Sequence, residues 1–236
     1  LAGAAYRKTQ AGEDTKKTRS HPENTLKGDL SMKLYLSQRA PNPRRVQMFI
    51  AEKAITGIEQ VLVDINAQEH RSPAFLDRNP LARIPVLELD DGRCLSETRA
   101  ICTYLEGLHP APNLMGTSAE ERAFIEMADR RMEWYLMLPL ANAIRHQHPG
   151  LAMLEQPQFP AFGAVQQTRG METAAWLDRT LQTQPWVAGE RFTIADITAF
   201  CTLEFAKLLK LKPADAGLHA LQTWRDKVAA RASAQA

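Results

Sequence analysis

The chain has 236 residues, 44% hydrophobic and 24% charged, with 29 Lys and Arg against 27 Asp and Glu for a net charge of +2. That is the make-up of an ordinary soluble globular protein of one or two domains. The near-neutral balance, with no basic run and no basic stripe interleaved with aromatics, argues against a nucleic-acid partner, and no apolar stretch approaches the roughly 20 residues that cross a bilayer.

Residues 1–31 are polar, mixed in charge and poor in large apolar side chains, so they read as a disordered tail ahead of a start at Met32. They lack the apolar core of a secretory signal. From Met32 the pattern predicts a strand over Lys33–Ser37, a helix over Pro43–Lys53 and a β-branched-rich strand over Glu59–Ile65, a βαβ unit with a parallel pair. "RIPVLELDDGRCL" predicts two short strands about an Asp-Gly turn, and "SETRAICTYLEGL" a helix. The order is βαβαββα.

"HPAPNLMG", His109–Gly116, concentrates chain breakers and marks a boundary, giving units at 32–110 and 117–236 joined by a linker at 111–116. Everything after it reads as helical. Ser118 and Glu121 stand at capping-box spacing, and Phe124, Met127, Arg131, Trp134, Leu138 and Ala141 recur every three to four residues along one long helix that Pro139 should kink. A Pro-rich connection, Gln156–Pro160, leads to a helix around Val165–Gln182. In "RFTIADI", Thr193 and Asp196 form a second capping box flanked by Phe192 and Ile197, opening a buried helix.

The three cysteines, Cys94, Cys102 and Cys201, suggest by number and spacing neither a disulfide framework nor a zinc site. A reducing, cytoplasmic setting fits them.

A βαβαββα unit with Ile84-Pro85 opening its third strand and Ser96-Glu97-Thr98 opening its last helix, followed by helices bearing "FTIAD", resembles the cytosolic glutathione transferases from about Met32 nearly to the C-terminus. Within them, "APNPRRV", "NPLARIPVLELDDG", "ETRAI", "RHQHPGL" and "PWVAGERFTIADI" are most similar to a bacterial and fungal subgroup near a yeast enzyme that lacks the usual catalytic Tyr, Ser or Cys. The resemblance implies a thioredoxin-like N-terminal domain, an all-α C-terminal domain, a homodimer and a role in detoxification. It also implies glutathione as co-substrate, with no metal and no membrane partner.

By the same resemblance, Ile84-Pro85 is a cis peptide whose preceding backbone pairs with the cysteinyl part of glutathione, as an added strand would. Glu97 and Thr98, in the first turn of their helix, hold the γ-glutamyl ammonium and carboxylate; on their own they also read as a helix start capped by Ser96. His70 and Arg71 stand where a basic residue meets the glycine carboxylate, with Arg83 placed to help, and singly each reads as a surface charge.

A cysteine thiol has a pKa near 8.5, so a transferase must stabilise the thiolate. The serine of related enzymes falls on Ala40 here. Asn42, followed by Pro43, reads as an N-cap and as an amide donor to sulfur, aided by the N–H groups of Arg44 and Arg45. Ser37 ranks second, and Arg39 adds positive potential. In the yeast-like subgroup a water held by the second domain replaces the hydroxyl. Asn142 and His146, one helical turn apart, match that role, while the helix-end dipole gives His146 and His148 another. Trp134, Met137, Leu138 and Ala141 form either an apolar wall for an electrophile or simple core.

The expected activity is conjugation of glutathione to a small apolar electrophile. One alternative is a glutathione-dependent thiol-disulfide reductase or peroxidase; another is a non-catalytic module that keeps the fold for binding.

Overall fold

The computed structural model describes residues 32–38 and 40–235, so the expected tail and Arg39 lie outside it. Strand β1 (Lys33–Leu36), helix α1 (Pro41–Glu52) and strand β2 (Glu59–Leu62) make the expected unit with β1 and β2 parallel. Strand β3 (Val86–Glu88) runs antiparallel to β1, and β4 (Cys94–Ser96) antiparallel to β3, in the order β2-β1-β3-β4. A short helix α2 (Pro73–Leu76) precedes β3 and α3 (Thr98–Leu108) follows β4.

The central strand is covered on both faces, which is why it reads as an unbroken apolar run. Leu34 and Leu36 enter the main core with Val46, Phe49 and Ile101 of α1 and α3. Tyr35 points the other way, into a smaller cluster with Val63, Phe75 of α2 and Val86, and meets Phe75 edge-on at 6.3 Å between ring centroids.

β1 and α1 each end one residue earlier than the sequence reading, at Leu36 and Glu52, the helix read from Val165 starts at Pro160, and three further boundaries differ. β2 ends at Leu62 rather than Ile65, because the Asp64 carboxylate accepts the N–H groups of Asn66 and Ala67 and turns the chain. Helix α1 begins two residues early: Ala40 is its N-cap, so Asn42 is not the cap but lies inside the first turn. Pro41 and Pro43 make this start possible, since their fixed φ suits a helix and their missing N–H groups have no partner to lose there. Helix α3 is preceded by Glu97, not Ser96, as its N-cap.

The second unit is helical throughout. α4 (Ala119–Arg131) passes without a break into a π-helical segment, Met132–Met137, and then α5 (Leu138–Gln147). The wide turn sits just before Pro139, whose ring would crowd the carbonyl four residues back in a regular α-helix. Helices α6 (Pro160–Leu181), α7 (Ile194–Ala206) and α8 (His219–Ala229) complete the unit, with α7 buried along nearly its whole length. Among the described residues no helix is long and apolar enough to cross a membrane.

Both expected caps form, one of them altered. Ser118 Oγ accepts the Glu121 N–H, but the Glu121 carboxylate accepts from Thr117 and Arg191 instead of from the Ser118 N–H. Thr193 and Asp196 make the complete box. The buried Asp196 carboxylate also accepts the Val187 N–H at 2.9 Å and the Trp224 indole N–H at 3.0 Å, tying α7, α8 and the loop before α7 together.

The two units share one apolar core and several ties across it. Buried Lys53, just past α1, donates to the Pro112 carbonyl at 2.6 Å and pairs with Glu106 at 2.7 Å. Glu52 accepts a fork of two bonds from Arg231, each 2.6 Å, and Arg44 donates to the Ala234 carbonyl at 2.9 Å, so the C-terminal turn (Ala232–Gln235) is held against α1.

Replacing Asp196 by Ala leaves two backbone N–H groups and an indole N–H buried without acceptors. Urea denaturation should show a loss of about 3–5 kcal/mol, and less for Asp196→Asn, which keeps one acceptor oxygen. Glu121 gives a pH signature. Its backbone and Arg191 partners hold its carboxyl down to about 2, below the ordinary value near 4.3. The stability it contributes is therefore complete above about pH 5 and lost as pH falls toward 2. Because the side chain is about a third exposed, Glu121→Gln should flatten the acid limb of a thermal-stability profile by no more than about 1 kcal/mol.

Candidate active site

The register of the sheet gathers the predicted residues of the first unit at one end. Leu36 pairs with Leu62, Tyr35 with Val86, and Val86 with Ser96. The exit of β1 toward Ser37 and α1, the exit of β2 toward His70, the entry to β3 at Ile84-Pro85 and the exit of β4 into α3 therefore lie side by side. Ile84-Pro85 is cis, and Ile84 lies before the first paired residue of β3, Val86, leaving its backbone outside the ladder.

The loop that presents Ile84 is built by a residue the sequence reading missed. Asn79, buried, accepts the Leu81 N–H at 3.1 Å and donates to the Arg83 carbonyl at 2.8 Å, spanning the turn in which Ala82 takes a left-handed φ of 52°. Its signal is the Asn-Pro pair, a turn initiator.

At the start of α3, Glu97 adopts φ 69°, a left-handed conformation rare outside glycine. Its side chain makes no capping bond and is exposed, so its carboxylate is available to a cation. Thr98 is buried in the first turn, beside N–H groups that the helix itself leaves unpaired. His70 is buried with Nδ1 lacking any hydrogen-bond partner among the described residues. Burial, with the neighbouring charges of Arg71 and Arg83, lowers its pKa and so disfavours the charged ring.

Asn42 and Ser37 flank the start of α1. Ser37 is half-buried, and its carbonyl accepts the Ala40 N–H. The expected help from backbone donors is reduced, because the Arg44 N–H is bonded to the Ala40 carbonyl and the prolines at 41 and 43 have none. The Asn42 amide oxygen accepts from Arg45 Nη1 at 3.2 Å.

The sequence reading uses Arg45 only for its backbone; its side chain is 1% exposed and crosses to the second unit. Nη1 meets Glu133 at 3.0 Å and the Met137 sulfur at 3.6 Å, and Nη2 lies 3.9 Å from Asp129, itself fully buried. Burial disfavours the guanidinium charge, but Asp129 and Glu133 outweigh it and raise the pKa. Asp129 also meets Arg130 at 3.0 Å, Arg99 at 3.4 Å and the Thr198 hydroxyl at 2.5 Å.

The second-domain candidates do not act as one group. His146 Nδ1 accepts the Phe159 N–H at 3.1 Å and its ring stacks edge-on against Phe162 at 5.0 Å, so it pins the segment before α6. Asn142 is half-buried, and its side chain makes no hydrogen bond among the described residues. Of the apolar-wall residues, Met137 is buried against Arg45 and Ala141 is half-buried, whereas Trp134 and Leu138 are 55% and 46% exposed. With Phe124, Met127 and Tyr135 these two make an exposed apolar row, not the core face that their spacing suggested.

None of the chain's cysteines supplies a thiolate near neutral pH. Burial pushes Cys102 and Cys201 up to about 12, and burial, then Glu88, raises Cys94. Among the described residues no cluster of three or more potential ligands could hold a metal ion.

Residues 40–108 match the profile for the glutathione S-transferase N-terminal domain, and residues 144–232 that for the C-terminal domain. "Glutathione S-transferase 2" of Saccharomyces cerevisiae is 33% identical over 86% of this chain and 87% of its own. The crystal structure of a glutathione S-transferase domain-containing protein from Marinobacter aquaeolei is 41% identical, with a TM-score of 0.79 over 85% of this chain and 98% of that one. The crystal structure of Gtt2 from Saccharomyces cerevisiae gives 33% identity and a TM-score of 0.81 over 86% and 98%. The chain belongs to the glutathione S-transferase family.

Proposed function

We propose that the sheet end formed by Asn42, His70, Arg83, Ile84, Pro85, Glu97 and Thr98 binds glutathione and that the bound thiolate attacks a small apolar electrophile. The observation that carries this reading is the convergence of complementary, unused groups on one edge. Glutathione is an extended peptide with a carboxylate and an ammonium at its γ-glutamyl end and a carboxylate at its glycine end. The free N–H groups and Thr98 hydroxyl at the α3 start suit the first carboxylate, and Glu97 suits the ammonium. The backbone of Ile84 suits the cysteinyl amide as strand addition does, and His70 with Arg83 suits the glycine carboxylate.

Such a pose brings the cysteinyl sulfur toward the α1 start. There the Asn42 amide NH2 donates to it; a hydrogen bond to an anion, worth about 1.5–3 kcal/mol, lowers a thiol pKa by about one to two units. Ser37 is the second candidate donor. Asn142 is the remaining polar group on α5 open to hold a water, since His146 is already engaged. Met137 and Ala141 are the apolar wall residues best placed to exclude solvent from an electrophile. The reductase alternative lacks a chain thiolate to form a mixed disulfide, so its turnover would run through glutathione alone.

We further propose a homodimer formed through the exposed row of Phe124, Met127, Trp134, Tyr135 and Leu138. Large apolar side chains exposed along one helix suit burial against a second copy.

Titration with glutathione near neutral pH, followed by heat and by thiolate ultraviolet absorbance, should show saturable binding with thiolate appearing. Binding without thiolate would favour a carrier or reductase, and no binding would remove the proposal. Thr98→Val and His70→Ala should each weaken glutathione about five- to tenfold with kcat little changed. Light scattering should give the mass of two chains, and Met127→Glu should give that of one.

A further inference from the structure

We infer that Arg45 is a positioning residue for thiol activation: its buried guanidinium fixes the Asn42 amide with the oxygen inward, so that only the NH2 end is presented to sulfur. The inference rests on the reading of Asn42 given above and adds the device that makes an asparagine serviceable there.

A side-chain amide has two nearly isosteric ends of opposite polarity. An NH2 facing a thiolate stabilises it, and an oxygen facing it repels it. A free asparagine would sample both. A guanidinium can only donate, so the end facing Arg45 Nη1 at 3.2 Å must be the oxygen, whatever the rest of the site holds. The NH2 then points away, with no partner among the described residues and outside the set of buried polar atoms that lack one.

Arg45 is held at Nη1, where Asn42, Glu133 and Met137 converge, while Nε and Nη2 are buried without a hydrogen-bond partner among the described residues and Nη2 meets Asp129 only as a charge at 3.9 Å. Asp129 and Glu133 face it from α4 and the π-helical segment, Met137 from the end of that segment and the Cys102 thiol from α3. Buried as it is, it has no solvent-facing rotamer to escape to. The α1 start needs such an arrangement more than a usual helix end does. Pro41 and Pro43 contribute no N–H and the Arg44 N–H is bonded to Ala40, so few backbone donors remain there to define the local field.

The test is a double-variant cycle read by the pH midpoint of thiolate absorbance of bound glutathione, with kcat/KM for an activated aryl chloride as a second readout. Asn42→Ala should raise the midpoint by about one unit and lower kcat/KM about tenfold. Arg45→Met, for which Arg99 and Arg130 still compensate Asp129, should raise it by about half a unit or more when Asn42 is present and by almost nothing when combined with Asn42→Ala. Equal shifts in both backgrounds would mean that Arg45 acts through its charge or through the fold, and would overturn the inference while leaving Asn42 in place. An unmoved midpoint in Asn42→Ala alone would overturn the Asn42 reading and this inference together. Should Arg45→Met not fold, Arg45→Lys enters the same cycle, keeping a cation for Asp129 but offering no fork that reaches Asn42 as well; the same two patterns then decide.

Discussion

Asp129 carries a charge with no exposure to water, and the arrangement of the two units follows from the need to compensate it. Arg45 arrives from α1, Arg99 from α3, Arg130 from its own helix and the Thr198 hydroxyl from α7. A pair of this kind adds little net stability over an apolar contact of the same shape, but removing one partner costs about 3–5 kcal/mol. What it supplies is a unique docking geometry, because a slide of α4 against α1 that apolar side chains would tolerate strands a buried charge.

The proposed binding edge and the helix beside it are held by the same logic at smaller scale. Asn79 folds the loop before β3, the C-terminal turn braces α1 through Glu52 and Arg44, and Lys53 ties the end of α1 to the Pro112 carbonyl. Asn79, Arg44 and Lys53 satisfy backbone groups that irregular structure leaves open, and Glu52 meets Arg231 side chain to side chain. The parts that would face a ligand keep open groups of their own: the Ile84 backbone beyond the ladder, the start of α3 and the His70 ring nitrogen.

Much of this is readable without any coordinates. Local signals place β1, α1, the Asp-Gly hairpin and the Thr193–Asp196 cap, because each depends on residues within a few positions of one another. The order of motifs around Pro85, Glu97 and Thr98 is enough to indicate the family. What stays hidden depends on long-range partners. The apolar stripe at Phe124, Trp134 and Leu138 has the spacing of a core face, and spacing alone cannot distinguish a face turned to the interior from one turned outward. Asn42 followed by proline has the composition of a cap, yet Pro41 makes an earlier start equally easy. Arg45 looks like surface charge because its counter-charge, Asp129, lies 84 positions further on, as the residue numbers give.

The π-helical turn at Met132–Met137 sets the phase of everything beyond it. Residues four apart drift by about 40° around a regular α-helix, and the wider turn offsets that drift. Asp129, Glu133 and Met137 can therefore all reach the single guanidinium of Arg45. Such a turn holds one residue more than the helix it interrupts. Five residues of regular α-helix turn through about the same angle as six at the wider pitch, so deleting one residue there would restore regular helix and leave α5 facing nearly the same way. The segment thus works as an expansion joint: within these six residues an extra residue is taken up as width, and the faces of α4 and α5 keep their relation.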